Sequence, residues 1–452
     1  MQLKKHIKET LSLAYPVAIG QLGYVLMHIV DSIMVGRLGA DALAAVSLGS
    51  SLCFVIMVFG IGISIALSPL VAFAIGKQDR HDAELLLHQS VYVNTITGFL
   101  LIGVNLLLVE MIPLFGQEPA VEHQAMAYGR ALAFSLLPIM LFQSYKQFLE
   151  GLQIMRPAMV ITIVANGVNA VVNYWLIFGG FGVPAFGVVG AGIATFVSRT
   201  FMFVALVGFI SRSNLAHEYR FNPFPVKWHI ESVKKLLRIG IPSGMQYFFE
   251  VGAFTVAAVM VGWFGAVPLA AHQVAISISG LTYMITAGVA AASSVRVGHY
   301  LGAGELADTR KAGYAAIVIA ALFMVGCGIL FVLFHPVIPY LYISDAEVIR
   351  VASMLLLIAA VYQIFDGTQA VGLGILRGIG DVKVPTAIAF TAYWIIALPS
   401  AYLMGMVIGM GVAGIWFGLS VGLAFSAVML NLRFHILMTK KIRNNGISAQ
   451  NK

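Results

Sequence analysis

The chain has 452 residues, 60% of them hydrophobic and only 10% charged, with a mean hydropathy of +0.92. Soluble proteins carry about 25% charged residues, so this composition places the chain in a lipid bilayer. The net charge of +8 and pI of 9.4 do not point to nucleic acid, because the basic residues fall between apolar stretches rather than in clusters and so report membrane topology instead.

Taken in chain order, the hydrophobic runs predict twelve membrane spans. The first six cover about 10–35, 45–74, 88–111, 125–146, 157–178 and 187–210; the second six cover about 239–263, 269–295, 312–334, 347–371, 384–406 and 412–436. The first run continues well past the length of a signal-peptide core, so it reads as a span and not as a cleaved leader. No charged residue occurs between Arg156 and Arg199, or between Lys383 and Arg433, and each gap has room for two helices of about 20 residues. The charged, proline-containing stretch Ser211–Lys235 reads as a linker, with Lys227–Leu237 expected as a helix on the membrane surface. The expected fold is all-α: an N-lobe over 1–210, a cytoplasmic linker over 211–235, and a C-lobe over 236–452 ending in a short basic tail. Cys53 and Cys327 both lie in apolar stretches, so neither a disulfide nor a metal site is expected.

Starting the N-terminus in the cytoplasm puts Lys4, Lys5, Lys8, Lys77, Arg80, Arg156, the basic residues of Arg212–Arg238 and the tail on the inner side. The opposite side receives only Arg37, Arg130 and Arg350, together with acids such as Asp41, Glu118 and Glu347. The positive-inside rule then places both termini in the cytoplasm.

The sequence also repeats itself. A shift of 226 residues superimposes Pro16 on Pro242, Gly36 on Gly262, Gly39-Ala40 on Gly265-Ala266 and Gly76 on Gly302, and a nearby shift pairs Gly151 with Gly378. Glycine and proline punctuation in register marks two pseudo-symmetric six-helix halves. Both begin on the same side, so the repeats are parallel.

Three carboxylates interrupt the apolar runs: Asp31 in the outer half of span 1, Glu250 midway along span 7 and Asp366 near the middle of span 10. A charge at bilayer depth costs about 2.5–3.5 kcal/mol on insertion scales, so such residues bind ions, trade protons or anchor helices through hydrogen bonds. Tyr362 and Asp366 share a helix face, with Gln369 following on the same side, and Gln246 precedes Glu250 at the same spacing. On span 5, Asn166, Asn169 and Asn173 form a polar stripe whose natural partner is Asp31, or else backbone and one another. Under the repeat Glu250 corresponds to Tyr24 and Asp31 to Ala257, so the two halves place their acids about two helical turns, on the order of 10 Å, apart in height. Tyr24, Gln246, Gln273 and Gln369 are candidate substrate contacts. Lys146, Glu150 and Arg156, near the inner end of span 4, are expected to be solvated. His28 and Arg199 receive no role.

These residues carry a resemblance. YPVAIGQLGYVLMHIVDSIMVGRLG from Tyr15, GVNAVVNYWLIFGG at 167–180, QYFFEVGAF around Glu250 and YQIFDGTQAVGLGILRG at 362–378 together resemble the multidrug and toxic compound extrusion (MATE) transporters, specifically their NorM-like bacterial branch. The resemblance covers nearly the whole chain. It implies a bacterial inner-membrane antiporter, expected to be monomeric, that exports amphipathic, often cationic compounds by alternating access. No cofactor is implied beyond a coupling ion, Na+ or H+. It also implies a C-lobe cation site of Glu250, Asp366 and Tyr362 with Tyr283 and Gln273 nearby, and an N-lobe network of Asp31, Asn169 and Asn173 for proton or substrate. Archaeal relatives carry an additional aspartate in span 5, where this chain has asparagine.

Two rival readings follow from the same features. A flippase for lipid-linked oligosaccharides needs a cationic cavity for pyrophosphate, whereas these spans hold acids. An integral membrane enzyme such as a prenyltransferase needs paired acidic metal-binding motifs, or a nucleophile with a base, and neither occurs in the sequence.

Overall fold

The computed structural model describes residues 2–180, 182–219 and 227–450; residues 220–226 of the expected linker and the end of the basic tail lie outside them. Among the described residues, twelve helices are long and apolar enough to cross a membrane. They are α1 (Lys4–Gly36), α2 (Ala40–Gly76), α3 (Arg80–Glu110), α4 (Pro119–Gly151), α5 (Arg156–Phe178), α6 (Gly187–Arg212), α7 (Ile230–Gly262), α8 (Ala266–Gly302), α9 (Leu306–Phe334), α10 (Ala346–Gly378), α11 (Lys383–Val407) and α12 (Gly411–Asn445). Each expected span falls on one of them. The surface helix expected over Lys227–Leu237 is not a separate element: helix begins at Ile230 and runs without interruption into α7, because nothing before Pro242 breaks it.

The ends of the helices follow from local chemistry. Asp79 caps α3 by accepting a bond from the Asp82 amide at 3.0 Å, and Asp345 caps α10 through the Glu347 and Val348 amides at 2.9 and 3.0 Å. Gly39 and Gly265 turn the chain between α1 and α2 and between α7 and α8 at φ 124° and 105°, a region that side chains with a Cβ rarely enter. The two halves differ in detail. α2 is interrupted after Ser64 and α4 after Ala133, whereas α8 and α10 run on unbroken. In α11 two stretches, Thr391–Ala397 and Leu403–Val407, wind as π-helix around Pro399. A proline lacks the N–H for the normal ladder, and widened π turns tend to occur at functional positions.

The chain packs as two compact units. One comprises Met1–Ala18 and Met245–Lys452, the other Ile19–Gly244. These bounds differ from the chain-order lobes 1–210 and 236–452, since each unit takes the first half of a helix from the other half of the sequence. The change falls two residues after Pro16 in α1 and two residues after Pro242 in α7.

Small residues fix the borrowed segments, as expected where lipid offers no hydrophobic drive between helices and close packing must hold them. In the 19–244 unit a Cβ on Gly62 would lie 2.5 Å from Gly244 Cα, and one on Gly240 would lie 2.8 Å from the Ile63 carbonyl. In the other unit a Cβ on Gly288 would meet the Ala14 carbonyl and the Ala18 nitrogen, both at 2.8 Å. Polar clamps reinforce both segments. Lys235 pairs with Asp82 at 3.1 Å. Buried Arg296 donates to the His6 carbonyl at 2.7 Å, to Thr10 Oγ1 at 2.6 Å and to Glu9, while His6 Nε2 lies 3.4 Å from Asp308. Lys235 and Asp82 are the repeat equivalents of Glu9 and Asp308, so the clamp is conserved in place and rebuilt in chemistry.

Candidate functional site

In the unit containing residues 245–452, Glu250 of α7 and Asp366 of α10 are both buried, at 7% and 4% exposure. The negative charge of Glu250 acts directly on Asp366. The hydroxyls of Tyr283 on α8 and Tyr393 on α11 lie beside the Glu250 carboxylate, close enough to favour its charge. Tyr393 is held in turn: Gln369 Nε2 donates to its oxygen at 2.7 Å, and Ser426 Oγ donates to Gln369 Oε1 at 2.7 Å. Aromatic rings pack beside it, with Tyr362 against Trp416 at 5.4 Å and Phe254 against Tyr362 and Tyr393 at 6.4 and 6.1 Å. Trp416 Nε1 donates to His272 Nδ1 at 3.1 Å, which fixes the proton of a neutral His272 on Nε2. Asp366 has no hydrogen-bond or ion-pair partner among the described residues.

The structure therefore brings together Glu250, Asp366, Tyr283, Tyr362 and Gln369, and adds Tyr393, which the sequence reading did not single out. Gln246 serves elsewhere. Its amide donates to Thr386 Oγ1 at 2.9 Å and to the Val382 carbonyl at 3.3 Å, and it accepts from Arg377 at 3.5 Å. Gln273 is exposed near the start of α8 and has no bond to the site.

In the 19–244 unit Asp31 of α1 is 4% exposed. Asn173 Nδ2 donates to Asp31 Oδ1 and, at 3.0 Å, to Asn169 Oδ1. Thr195 Oγ1 of α6 donates to the Ala191 carbonyl of its own helix at 3.1 Å and lies 3.5 Å from Asp31 Oδ2. The Asn173 carbonyl oxygen is buried and unpartnered, so the site retains unused hydrogen-bonding capacity. Asn166 stands apart, because its amide donates to the Thr162 carbonyl of its own helix at 2.9 Å. Tyr24 lies where the charges of Lys146, Arg199 and Glu150 reach it. His28 lines a shallow groove of about 380 Å³ with Val25, Ile29, Ser32, Ile33 and Leu43.

One expectation is corrected here. Lys146 and Glu150 are buried, not solvated, and pair with each other at 3.4 Å one turn apart on α4. The helix extends to Gly151, and Gln143 and Gln147 share their buried face. Arg156 is exposed as expected.

A duplicated, all-helical chain of twelve candidate spans with carboxylates buried inside each unit is built as an integral membrane transporter. The MatE family model matches it twice, over residues 16–175 and 242–403, and the two matches begin at the paired prolines. The chain belongs to the MatE family, in its NorM-like branch. It is 36% identical over 449 residues to a probable multidrug resistance protein NorM of Mesorhizobium japonicum, covering 95% of this chain and 94% of that one. Among solved structures, the eukaryotic MATE transporter AtDTX14 superimposes with a TM-score of 0.89 at 24% identity, over 98% of this chain and 100% of that one. A MOP superfamily transporter from Pyrococcus furiosus, whose reversed pocket polarity suggested a different function, gives 0.86 at 23% identity over 96% of each chain. An outward-facing multidrug resistance MATE transporter gives 0.85 at 22% identity, again over 96% of each chain.

Proposed function

We propose that this chain is a cation-coupled exporter of amphipathic cationic compounds, with Glu250 and Asp366 as the site for the coupling ion. One observation carries the reading. Asp366 is buried without a bonding partner and faces the charge of Glu250. Two carboxylates in a water-poor pocket repel each other and are stable only when a cation or a proton compensates them. Carboxylate and phenol oxygens supply the hard ligands that Na+ takes, and the same carboxylates accept protons.

Occupancy of this pair shifts the equilibrium between two arrangements open to opposite sides of the membrane, because the ion binds one of them more tightly. Cargo uses the polar site around Asp31, so ion and drug act in different units. The relative named as a multidrug resistance protein supports the substrate class. The charge distribution of the loops supports both termini in the cytoplasm of a bacterial inner-membrane protein, which we take to act as a monomer.

The test is efflux of a fluorescent cation from proteoliposomes, driven separately by a Na+ gradient and by a pH gradient. One gradient is expected to drive efflux, and Asp366→Asn is expected to abolish it in a protein that still elutes as a folded species. Undiminished gradient-driven efflux by that variant would sink the proposal.

A further inference from the structure

Arg199 lies well inside α6, 6% exposed, in the same unit as Asp31. Its Nη1 donates to Ser135 Oγ at 2.8 Å, and the buried Cys53 thiol is near enough to feel its charge. Both groups are neutral, and among the described residues no carboxylate comes within 4.0 Å of the guanidinium. A buried cation bonded only to neutral groups is expensive unless an anion compensates it at longer range. Among the described residues, the Asp, Glu, Lys and Arg side chains buried in this unit are Asp31, Lys146, Glu150 and Arg199. Lys146 and Glu150 pair with each other. That leaves Asp31 and Arg199.

Geometry puts these two on one side of α6. Thr195, whose Oγ1 lies 3.5 Å from Asp31 Oδ2, precedes Arg199 by four residues, and residues four apart stand on the same face with Cβ atoms about 5–6 Å from each other. The field of Arg199 reaches Asp31 and extends to Tyr128 and His28 around it. Ser135 keeps the guanidinium in place: it stands at the interruption of α4, and its hydroxyl proton is committed to the Leu132 carbonyl at 2.6 Å, so its lone pairs face Arg199. The arrangement is an acid and a base held close but apart, with Asn and Thr side chains on the acid.

We infer that Arg199 is the internal counter-charge of Asp31 and thereby sets how tightly this unit holds a cationic compound. In the empty site the two charges balance. A cation that takes Asp31 must do so against the field of Arg199, which weakens binding and favours release. Arg199 is thus a positioning and affinity-setting residue, one that need not touch the cargo. The inference rests on the reading that cations are the cargo and extends it to a residue which that reading does not use.

The test is equilibrium binding of tetraphenylphosphonium, a permanent monocation without hydrogen-bonding groups, to the full-length detergent-solubilised chain. Arg199→Gln is expected to bind it about tenfold tighter, since a repulsive charge at this range is removed. Arg199→Lys keeps the charge and is expected to stay within about threefold of the unmodified chain. In an Asp31→Asn background the gain from Arg199→Gln is expected to vanish. Ser135→Ala, a conservative change, frees the guanidinium to close on Asp31 and is expected to weaken binding about threefold.

A merely structural role for Arg199 predicts loss, not gain, so the sign decides. Unchanged or weaker binding by Arg199→Gln overturns the inference, as does a gain that persists without Asp31. Unchanged or tighter binding by Ser135→Ala also overturns it. Absence of tetraphenylphosphonium binding to the unmodified chain overturns it together with the reading it rests on. The expected binding pattern without gradient-driven efflux supports the inference and sinks only the coupled-export reading.

Discussion

Gly62 and Gly288 hold equivalent places in the two halves of the sequence, and at each a second helix backbone passes so close that a methyl group does not fit. The partner backbone is Gly244 in one case and Ala14 to Ala18 in the other, themselves equivalent under the same shift. The repeat is therefore expressed in packing as well as in composition.

Gly62→Ala and Gly288→Ala are expected to destabilise the protein by about 1–3 kcal/mol each, because backbone atoms cannot move aside as a flexible side chain would. Gly280→Ala on α8, where a Cβ meets nothing within 4 Å, is expected to be neutral or stabilising by about 0.5–1 kcal/mol. Thermal melting followed by size-exclusion fluorescence distinguishes the two cases. Equal melting of all three variants would contradict the packing argument.

Tyr393→Phe removes the hydroxyl that stands beside the Glu250 carboxylate and accepts from Gln369. Losing a hydroxyl near a carboxylate and leaving the buried Gln369 amide without its acceptor costs about 1–3 kcal/mol, so the coupling-ion concentration for half-maximal efflux is expected to change by about five- to a hundredfold. Tyr402→Phe, on an exposed position of the same helix, should leave that concentration where it was.

The Lys146–Glu150 pair gives a third expectation. Lys146→Met leaves Glu150 buried beside an apolar chain and is expected to cost about 3–5 kcal/mol. The double variant Lys146→Met/Glu150→Leu removes both charges and is expected to recover most of that loss. A double variant as unstable as the single one would show that the pair does not act as a unit.

Asn173 and Asn166 look alike on the span 5 stripe but do different work. Asn173→Ala strips a donor from Asp31 and is expected to reduce drug efflux nearly as much as Asp31→Asn does. Asn166→Ala removes a bond to its own helix backbone and is expected to leave efflux within about twofold, because such local bonds contribute little. Initial efflux rates at matched protein density provide the comparison.

The spans and the three acids were legible because apolar length and isolated charge are one-dimensional signals. Pro16 and Pro242 announced the repeat for the same reason. Tyr393 was not legible as a site residue, since it reaches Glu250 from another helix through a π-wound segment; Pro399 inside an apolar run was the available hint. The burial of the Lys146–Glu150 pair is not legible from its distance to the end of the span. The regular placement of Gln143, Lys146, Gln147 and Glu150 on one helix face was the sign of burial. Thr195 and Arg199 share a face of α6, but only tertiary packing reveals that the face meets Asp31.

The borrowed half-helices also bear on how the chain is made. Residues 6–18 leave the ribosome first, yet Gly288 and Arg296, which they pack against, are synthesised some 270 residues later. The first unit to find all its parts is the one ending at Gly244, and it can do so only after the opening stretch of α7 has been inserted. Until α8 arrives, the beginning of α1 must wait in the bilayer without its neighbours. A cut in the linker leaves neither fragment with a whole unit: the upstream piece lacks 230–244 and the downstream piece lacks 1–18. The two fragments, expressed apart, should be degraded; expressed together, each supplies the strand of helix that completes the other.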